Sequence, residues 1–122
     1  MRRSMMQVYV KGSEDAVRLY RAAFDAELLC VYPNENGVGY MHSELNAYGQ
    51  IIAVSELEGE VASGNTMQFC FHFGEGGEGK VRRAYEALLE GASEASPLGE
   101  CGYSSCQFEL TDRFGVRWCL FV

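Results

Sequence analysis

The stretch TDRFGVRW, residues 111–118, decides how this chain is read. Asp112 can accept a hydrogen bond from the backbone two residues on, and Gly115 supplies the positive φ that a tight reversal demands. SSCQFELT before it and VRWCLFV after it both read as strands, so the stretch is predicted to turn a β-hairpin. The same pattern occurs earlier. SELNAYGQIIAV (43–54) lies over FELTDRFGVRWCL (108–120) once one residue is inserted in the later turn. Glu44-Leu45 then matches Glu109-Leu110, and Tyr48-Gly49 matches Phe114-Gly115. The opening stretch is thus the second copy of a turn whose first copy is NAYG.

The order of elements repeats as well. MQVYV (6–10) is a short strand, and SEDAVRLYRAAF (13–24) is a helix with Ser13 as N-cap and Val17, Tyr20 and Phe24 at helical spacing. AELLCVYP (26–33), GYMHSELN (39–46) and QIIAVSE (50–56) are three further strands. ELEGEVASGN (56–65) interrupts with glycines and acids. MQFCFHF (67–73) then restarts the pattern with the dipeptide that opened the first strand. GKVRRAYEALLEG (79–91) is helical, ASEASPLGECG (92–102) is a weak, irregular strand or loop, and the hairpin closes the set. The expected fold is α+β: a βαβββ module over residues 1–56, a linker over 57–65, and a second βαβββ module over 66–122, forming a curled mixed sheet around a cavity.

Alternation separates the two faces of each strand. Val8 and Val10 oppose Gln7 and Tyr9; Met41 and Leu45 oppose Tyr40, His42 and Glu44. Phe69, Phe71 and Phe73 oppose Gln68, Cys70 and His72, while Cys106, Phe108 and Leu110 oppose Tyr103, Ser105, Gln107 and Glu109. The apolar faces are expected to pack under the helices. The mixed faces, bearing Gln7, Tyr9, His42, Glu44, Gln68 and Cys70, are expected to line the cup. Tyr103 and Trp118 are added as aromatic lining, with core packing the rival reading, favoured for Trp118.

Bulk properties narrow the function. The formal charge of −7 argues against a nucleic-acid partner, which needs a basic surface. No apolar run approaches the roughly 20 residues of a membrane span. Arg2 and Arg3 precede SMMQ without an apolar h-region, so no secretory leader is expected. The five cysteines, Cys30, Cys70, Cys101, Cys106 and Cys119, are odd in number and lack a CxxC spacing, which suggests reduced thiols and a cytoplasmic protein.

Candidate sites are few. His42 and Glu44 could bind a cation or act as a base with an orienting acid; an ordinary polar sheet face is the rival and weighs more. His72 has the same bland alternative. Glu56 is read as the first charge of the linker in preference to a cavity-rim acid. Two histidines support no Ser/His/Asp triad. GEGGEGK (74–80) lacks the P-loop spacing, and its glutamates would repel phosphate.

The helix EDAVRLYRAAFDAEL, the hairpin MHSELNAYGQIIAVSE and the terminal LTDRFGVRW together resemble the PhnB-like branch of the vicinal oxygen chelate superfamily, which includes glyoxalase I, extradiol dioxygenases, and fosfomycin and bleomycin resistance proteins. The resemblance spans nearly the whole chain. It implies paired βαβββ modules around a cavity, commonly completed in a homodimer. Names of the 3-demethylubiquinone methyltransferase type occur in this branch, but no Gly-rich nucleotide fingerprint supports that activity here. Metal-using members take ligands from the first and last strand of each module. Carried over, those positions fall near Gln7, Gln68, Val54 and Leu120, or Ala53 and Cys119 with the register shifted by one. Val and Leu cannot ligate a cation. The expectation is a small-molecule-binding, glyoxalase-like homodimer with no cofactor and without the standard metal site. The alternative is a metal-dependent lyase, isomerase or dioxygenase with a displaced site at His42, Glu44 and Gln7. A purely structural or regulatory dimer is a third reading.

Overall fold

A computed structural model describes residues 1–62 and 64–122. Ser63, within the expected linker, lies outside the described residues. The chain divides into two compact units, Met1–Ala62 and Ser63–Val122.

In the first unit, β1 (Met6–Val10) leads into α1 (Ser13–Phe24), followed by β2 (Glu27–Pro33), β3 (Tyr40–Ala47) and β4 (Gln50–Glu56). The strand order is β1-β4-β3-β2, with β1 parallel to β4 and the other pairs antiparallel. Residues spaced by three and four on α1, among them Ala16, Tyr20, Ala23 and Phe24, are fully buried. They cover Met6, Val10, Leu45, Ile52 and Val54 on one sheet face. Each such large apolar side chain contributes about 1.5–3 kcal/mol when fully buried. Met41, expected on this face, is exposed instead, at the start of its strand.

The second unit repeats the scheme. β5 (Phe69–His72) precedes α2 (Glu78–Leu88), then come β6 (Glu94–Ala95), β7 (Gly99–Cys101), β8 (Ser104–Thr111) and β9 (Arg117–Phe121). Again the first strand is parallel to the last, in the order β5-β9-β8-β6, with β7 also paired to β8. The irregular stretch resolves into β6 and β7, separated by a segment containing Pro97, which has no N–H to give to a ladder. Val81, Ala84 and Leu88 of α2 are buried, as are Phe108, Trp118 and Leu120 of the sheet. The Tyr85 ring meets Phe108 edge-on at 5.1 Å.

The two turns explain the repeated motif. Tyr48 (φ 55) and Gly49 (φ 93) are both left-handed between the paired Ala47 and Gln50, giving a two-residue hairpin loop. The Asn46 side chain accepts from the Gly49 N–H at 2.8 Å. In the later, longer turn, Asp112 Oδ1 accepts from the N–H groups of Phe114 (2.8 Å) and Val116 (3.0 Å). Its Oδ2 accepts from the Trp118 indole at 2.9 Å. Asp112 is only 1% exposed, so one buried carboxylate fixes both the turn and the rotamer of the tryptophan that follows it.

Three expectations are corrected. The cavity-lining placement of Trp118 gives way to core packing, the reading favoured for it. It is fully buried, 6.3 Å from the ring of Phe69 and 6.1 Å from that of Phe71, and register pairs it with Phe69 and Leu110 on the apolar side. Ser13 is the first residue of α1, with Gly12 at the N-cap position making no side-chain cap bond. The cap comes from Glu56 at the end of β4, neither linker nor rim. Its carboxylate accepts from Gly12 N–H (3.0 Å), Ser13 N–H (2.9 Å) and the Ser13 hydroxyl (2.8 Å).

Candidate functional site

Each sheet leaves one face free of its helix, and the chemistry-bearing residues collect there. In the first unit, register sets Gln7 beside Ala53, Ala53 beside Glu44, and Glu44 beside Cys30. The next row brings Tyr9 beside Ser55, and Tyr32 beside His42. Glu44 is the electrostatic centre. Only 7% exposed, it accepts from both Arg3 guanidinium nitrogens (3.0 and 2.8 Å), and its Oε1 lies 3.0 Å from His42 Nε2. A bidentate guanidinium–carboxylate fork is among the stronger polar contacts available to side chains. The Arg3 hydrogen bonds, then the His42 bond, outweigh desolvation and hold the Glu44 carboxyl down to about 2. Gln7 donates to Val8 O (3.0 Å) and to the Ser55 hydroxyl (3.1 Å). Tyr9 and Tyr32 are exposed around this polar centre.

The second unit fills its face differently. Cys70 is the register partner of Cys119, and Cys119 that of Glu109. His72 stacks on Phe121 at 4.5 Å, and Tyr103 meets the same ring edge-on at 5.4 Å. Gln68 donates to Glu109 at 3.3 Å. Desolvation and the neighbouring Cys119 and Cys101 thiols push the Tyr103 hydroxyl up to about 12, so it stays neutral. A shallow cavity of about 260 Å³ opens beside this face, lined by Gln68, Glu94, Ser96, Glu109, Thr111 and Arg117.

Of the residues singled out from sequence, Gln7, Tyr9, His42 and Glu44 are brought together on one face of the first unit. Gln68, Cys70 and Tyr103 are brought together on one face of the second, and Trp118 stands apart in the core. Of the two registers for the motif carry-over, the shifted one, with Ala53 and Cys119, is the one on the open faces. Val54 and Leu120 are fully buried under the helices, and the last-strand residues on the open faces are Ala53 and Ser55 in one unit, Cys119 and Phe121 in the other. Gln7 and Gln68 are not equivalents either. Gln7 pairs with Ala53 while Cys70 pairs with Cys119, and the hairpin alignment equates Ala53 with Cys119, so Cys70 is the counterpart of Gln7. Sequence reasoning missed Arg3, which lies outside any strand, and gave no role to Cys119, which strand parity would have placed beside Cys70.

These donors do not fit the superfamily's metal centre. The open faces of the first and last strands offer amides, hydroxyls, thiols and His72; the one carboxylate on a last strand, Glu56 of β4, serves as the α1 cap. The displaced set fares no better. Both oxygens of Glu44 are held by Arg3, so a cation there would sit against a guanidinium. Among the described residues, no three His, Cys, Asp or Glu side chains converge as ligands.

No family model matches the chain, and no curated protein matches it. Solved structures do. Protein PA1353 from Pseudomonas aeruginosa superposes with a TM-score of 0.82 at 19% identity, covering 99% of this chain and 97% of that one. A PhnB protein from Bacillus cereus gives 0.82 at 18% identity, over 98% of both chains. The fosfomycin resistance protein FosX from Listeria monocytogenes, in a complex with Mn(II) and sulfate, gives 0.69 at 15% identity over 97% of this chain and 88% of that one. At such identities the likeness shows the fold.

Proposed function

We propose that this chain, whose fold is that of the vicinal oxygen chelate superfamily, is a small-molecule-binding protein of the PhnB-like kind that works without the superfamily's standard metal centre. The observation that carries this reading is the donor set. Where metal-using members present ligands, the open faces here present Gln7 with Ala53 and Ser55, and Cys70 with Cys119 and Phe121. Amides and hydroxyls beside exposed Tyr9 and Tyr32 on the first unit's face, and exposed Tyr103 on the second unit's own face, each suit an uncharged or weakly polar organic ligand. The FosX structure contains Mn(II), but its likeness to this chain carries the fold and not the ligands. We read the protein further as a cytoplasmic homodimer. Five unbridged cysteines support the compartment, and the exposed apolar side chains Leu29 and Met41 on neighbouring strands support pairing.

The second reading, a metal-dependent lyase, isomerase or dioxygenase, is favoured by the 3.0 Å contact of His42 Nε2 with Glu44, which would orient an imidazole base. The Arg3 clamp on the same carboxylate weighs against it. Elemental analysis of protein purified without chelator decides between them. The metal-free reading expects substoichiometric Mn, Fe, Ni and Zn, together with small-molecule hits in a thermal-shift screen that weaken in Tyr9→Ala. Stoichiometric metal that disappears in His42→Ala overturns it. Light scattering should give twice the 13.6 kDa chain mass.

A further inference from the structure

On the open face of the second unit, Cys70 of β5 and Cys119 of β9 are direct register partners in a parallel ladder. Neighbouring strands run about 4.7–4.9 Å apart, and the side chains of such a pair leave the sheet on the same side. A disulfide spans Cα atoms roughly 4.4–6.8 Å apart, a range that includes the spacing of neighbouring strands. Cys119 is close enough to raise the Cys70 thiol pKa. Their surroundings divide the labour between them. Cys70 is exposed, with its thiol directed to Gln68 Oε1 at 3.9 Å; Cys119 is 4% exposed, receives the Gln107 amide at 3.7 Å, and lies 4.0 Å from the Tyr103 hydroxyl. One cysteine is exposed and the other, on the adjacent strand, is buried. Cys106 lies buried in the core, with its face-mates Phe108 and Leu110.

We propose that Cys70 and Cys119 form a dithiol site that exchanges with low-molecular-weight disulfides and closes to an intrachain disulfide between the first and last strands of the unit. The Cys70 thiolate attacks one sulfur of the small disulfide RSSR, breaking its S–S bond and releasing RS⁻, which takes up the proton lost from Cys70. The Cys119 thiolate then attacks the Cys70 sulfur of the mixed disulfide and expels the second RS⁻, protonated in turn. Two protein thiols are oxidised by two electrons in all, and one RSSR is reduced to two RSH. Partial desolvation and the adjacent Cys119 hold the Cys70 thiol above its ordinary range, so attack should be slow at neutral pH and quicken as pH rises. Closure involves two register partners on one face of adjacent strands and should be fast.

Incubation of the reduced full-length protein with oxidised glutathione tests this. Intact mass should fall by two hydrogens with no glutathione retained, free thiols should drop from five by two, and peptide mapping should find Cys70 linked to Cys119. The rate should rise about tenfold per pH unit below the Cys70 pKa. Cys119→Ser should trap one glutathione on Cys70, and Cys70→Ser should form neither adduct nor bridge at Cys119. A stable glutathione adduct on the wild type, or linkage or modification falling on Cys30 or Cys101 instead, overturns the proposal. Peptide mapping of the wild-type chain decides the matter even if a variant misfolds.

Discussion

Glu44 and Glu109 occupy the same position of the repeated hairpin, each one strand over from the last strand of its unit, beside Ala53 and Cys119 respectively. Glu44 is buried and clamped by Arg3 and His42; Glu109 is exposed and accepts the Gln68 amide. The backbone ladder is the same, so the divergence arises from neighbours. The residue two before Glu44 is His42, whereas the residue two before Glu109 is Gln107, which turns to Cys119. One unit therefore builds an ionic centre and the other a thiol-and-amide surface on equivalent rows. A repeated scaffold fixes where side chains stand, and single substitutions decide what each face can bind.

The turns offer the sharpest way to break the comparison. Asp112→Ala removes the acceptor of two backbone N–H groups and leaves the buried Trp118 indole unsatisfied, a loss of about 3 kcal/mol or more. Asn46→Ala, at the first turn, deletes one exposed side-chain bond to Gly49 and should cost about 1 kcal/mol or less. Urea unfolding of both variants checks the ratio. Equal losses would mean that Asp112 organises its turn no more than Asn46 does.

Much of the fold could be read from residues because two periodicities carried it. The Tyr48-Gly49 and Phe114-Gly115 turns marked a repeated hairpin, and strand alternation sorted Gln7, Tyr9, His42 and Glu44 from their apolar neighbours. The same parity, applied strictly, puts Trp118 beside Cys119 on the opposite face and so in the core; its usual preference for aromatic pockets was the misleading signal. The Met-Gln dipeptide shared by residues 6–7 and 67–68 also misled, since a match of two residues cannot fix register against the ladder pairs. Arg3 and Glu56 act across 41 and 43 residues, and no local pattern encodes such partners.

The glutamate pair gives the next contrast. Glu44→Gln keeps the shape but breaks the charge-assisted fork to Arg3. Because Arg3 is half exposed, solvent screening limits the expected loss to about 1–2 kcal/mol. Glu109→Gln should change stability by less than about 0.5 kcal/mol.

Acid titration sharpens the same point. The Glu44 carboxyl sits at about 2 in the folded chain against 4.5 as an unperturbed group. A depressed carboxylate contributes stability that is complete above the unfolded value and is lost as pH falls through the folded one. Stability should therefore decline between pH 4.5 and about 2, and Glu44→Gln should flatten that slope. Carbon-detected NMR titration of the Glu44 carboxyl reads the value directly. A midpoint near the ordinary glutamate value would mean that the Arg3 clamp does not hold in solution.

The smallest effect concerns the helix starts. α1 and α2 both begin after a glycine that makes no side-chain cap bond, yet α1 receives the Glu56 carboxylate from across the sheet. The hairpin alignment equates Glu56 with Val122, whose side chain has no acceptor to offer α2. Desolvation pushes the Glu56 carboxyl up, but the N–H groups of Ser13 and Gly12 and the Ser13 hydroxyl together hold it below its ordinary range. Its contribution is accordingly present at neutral pH and fades as pH falls through that lowered value. A negative charge at a helix N-terminus, with its cap bonds, is worth about 0.5–1 kcal/mol at such a partly exposed site. Glu56→Gln should cost about that much, because the amide oxygen retains one acceptor while the charge is gone. Hydrogen exchange should quicken at Gly12, Ser13 and the first turn of α1, with the start of α2 unchanged as the internal control. Unchanged exchange at Gly12 and Ser13 would mean that α1, like α2, holds its first turn by packing without help from the cap.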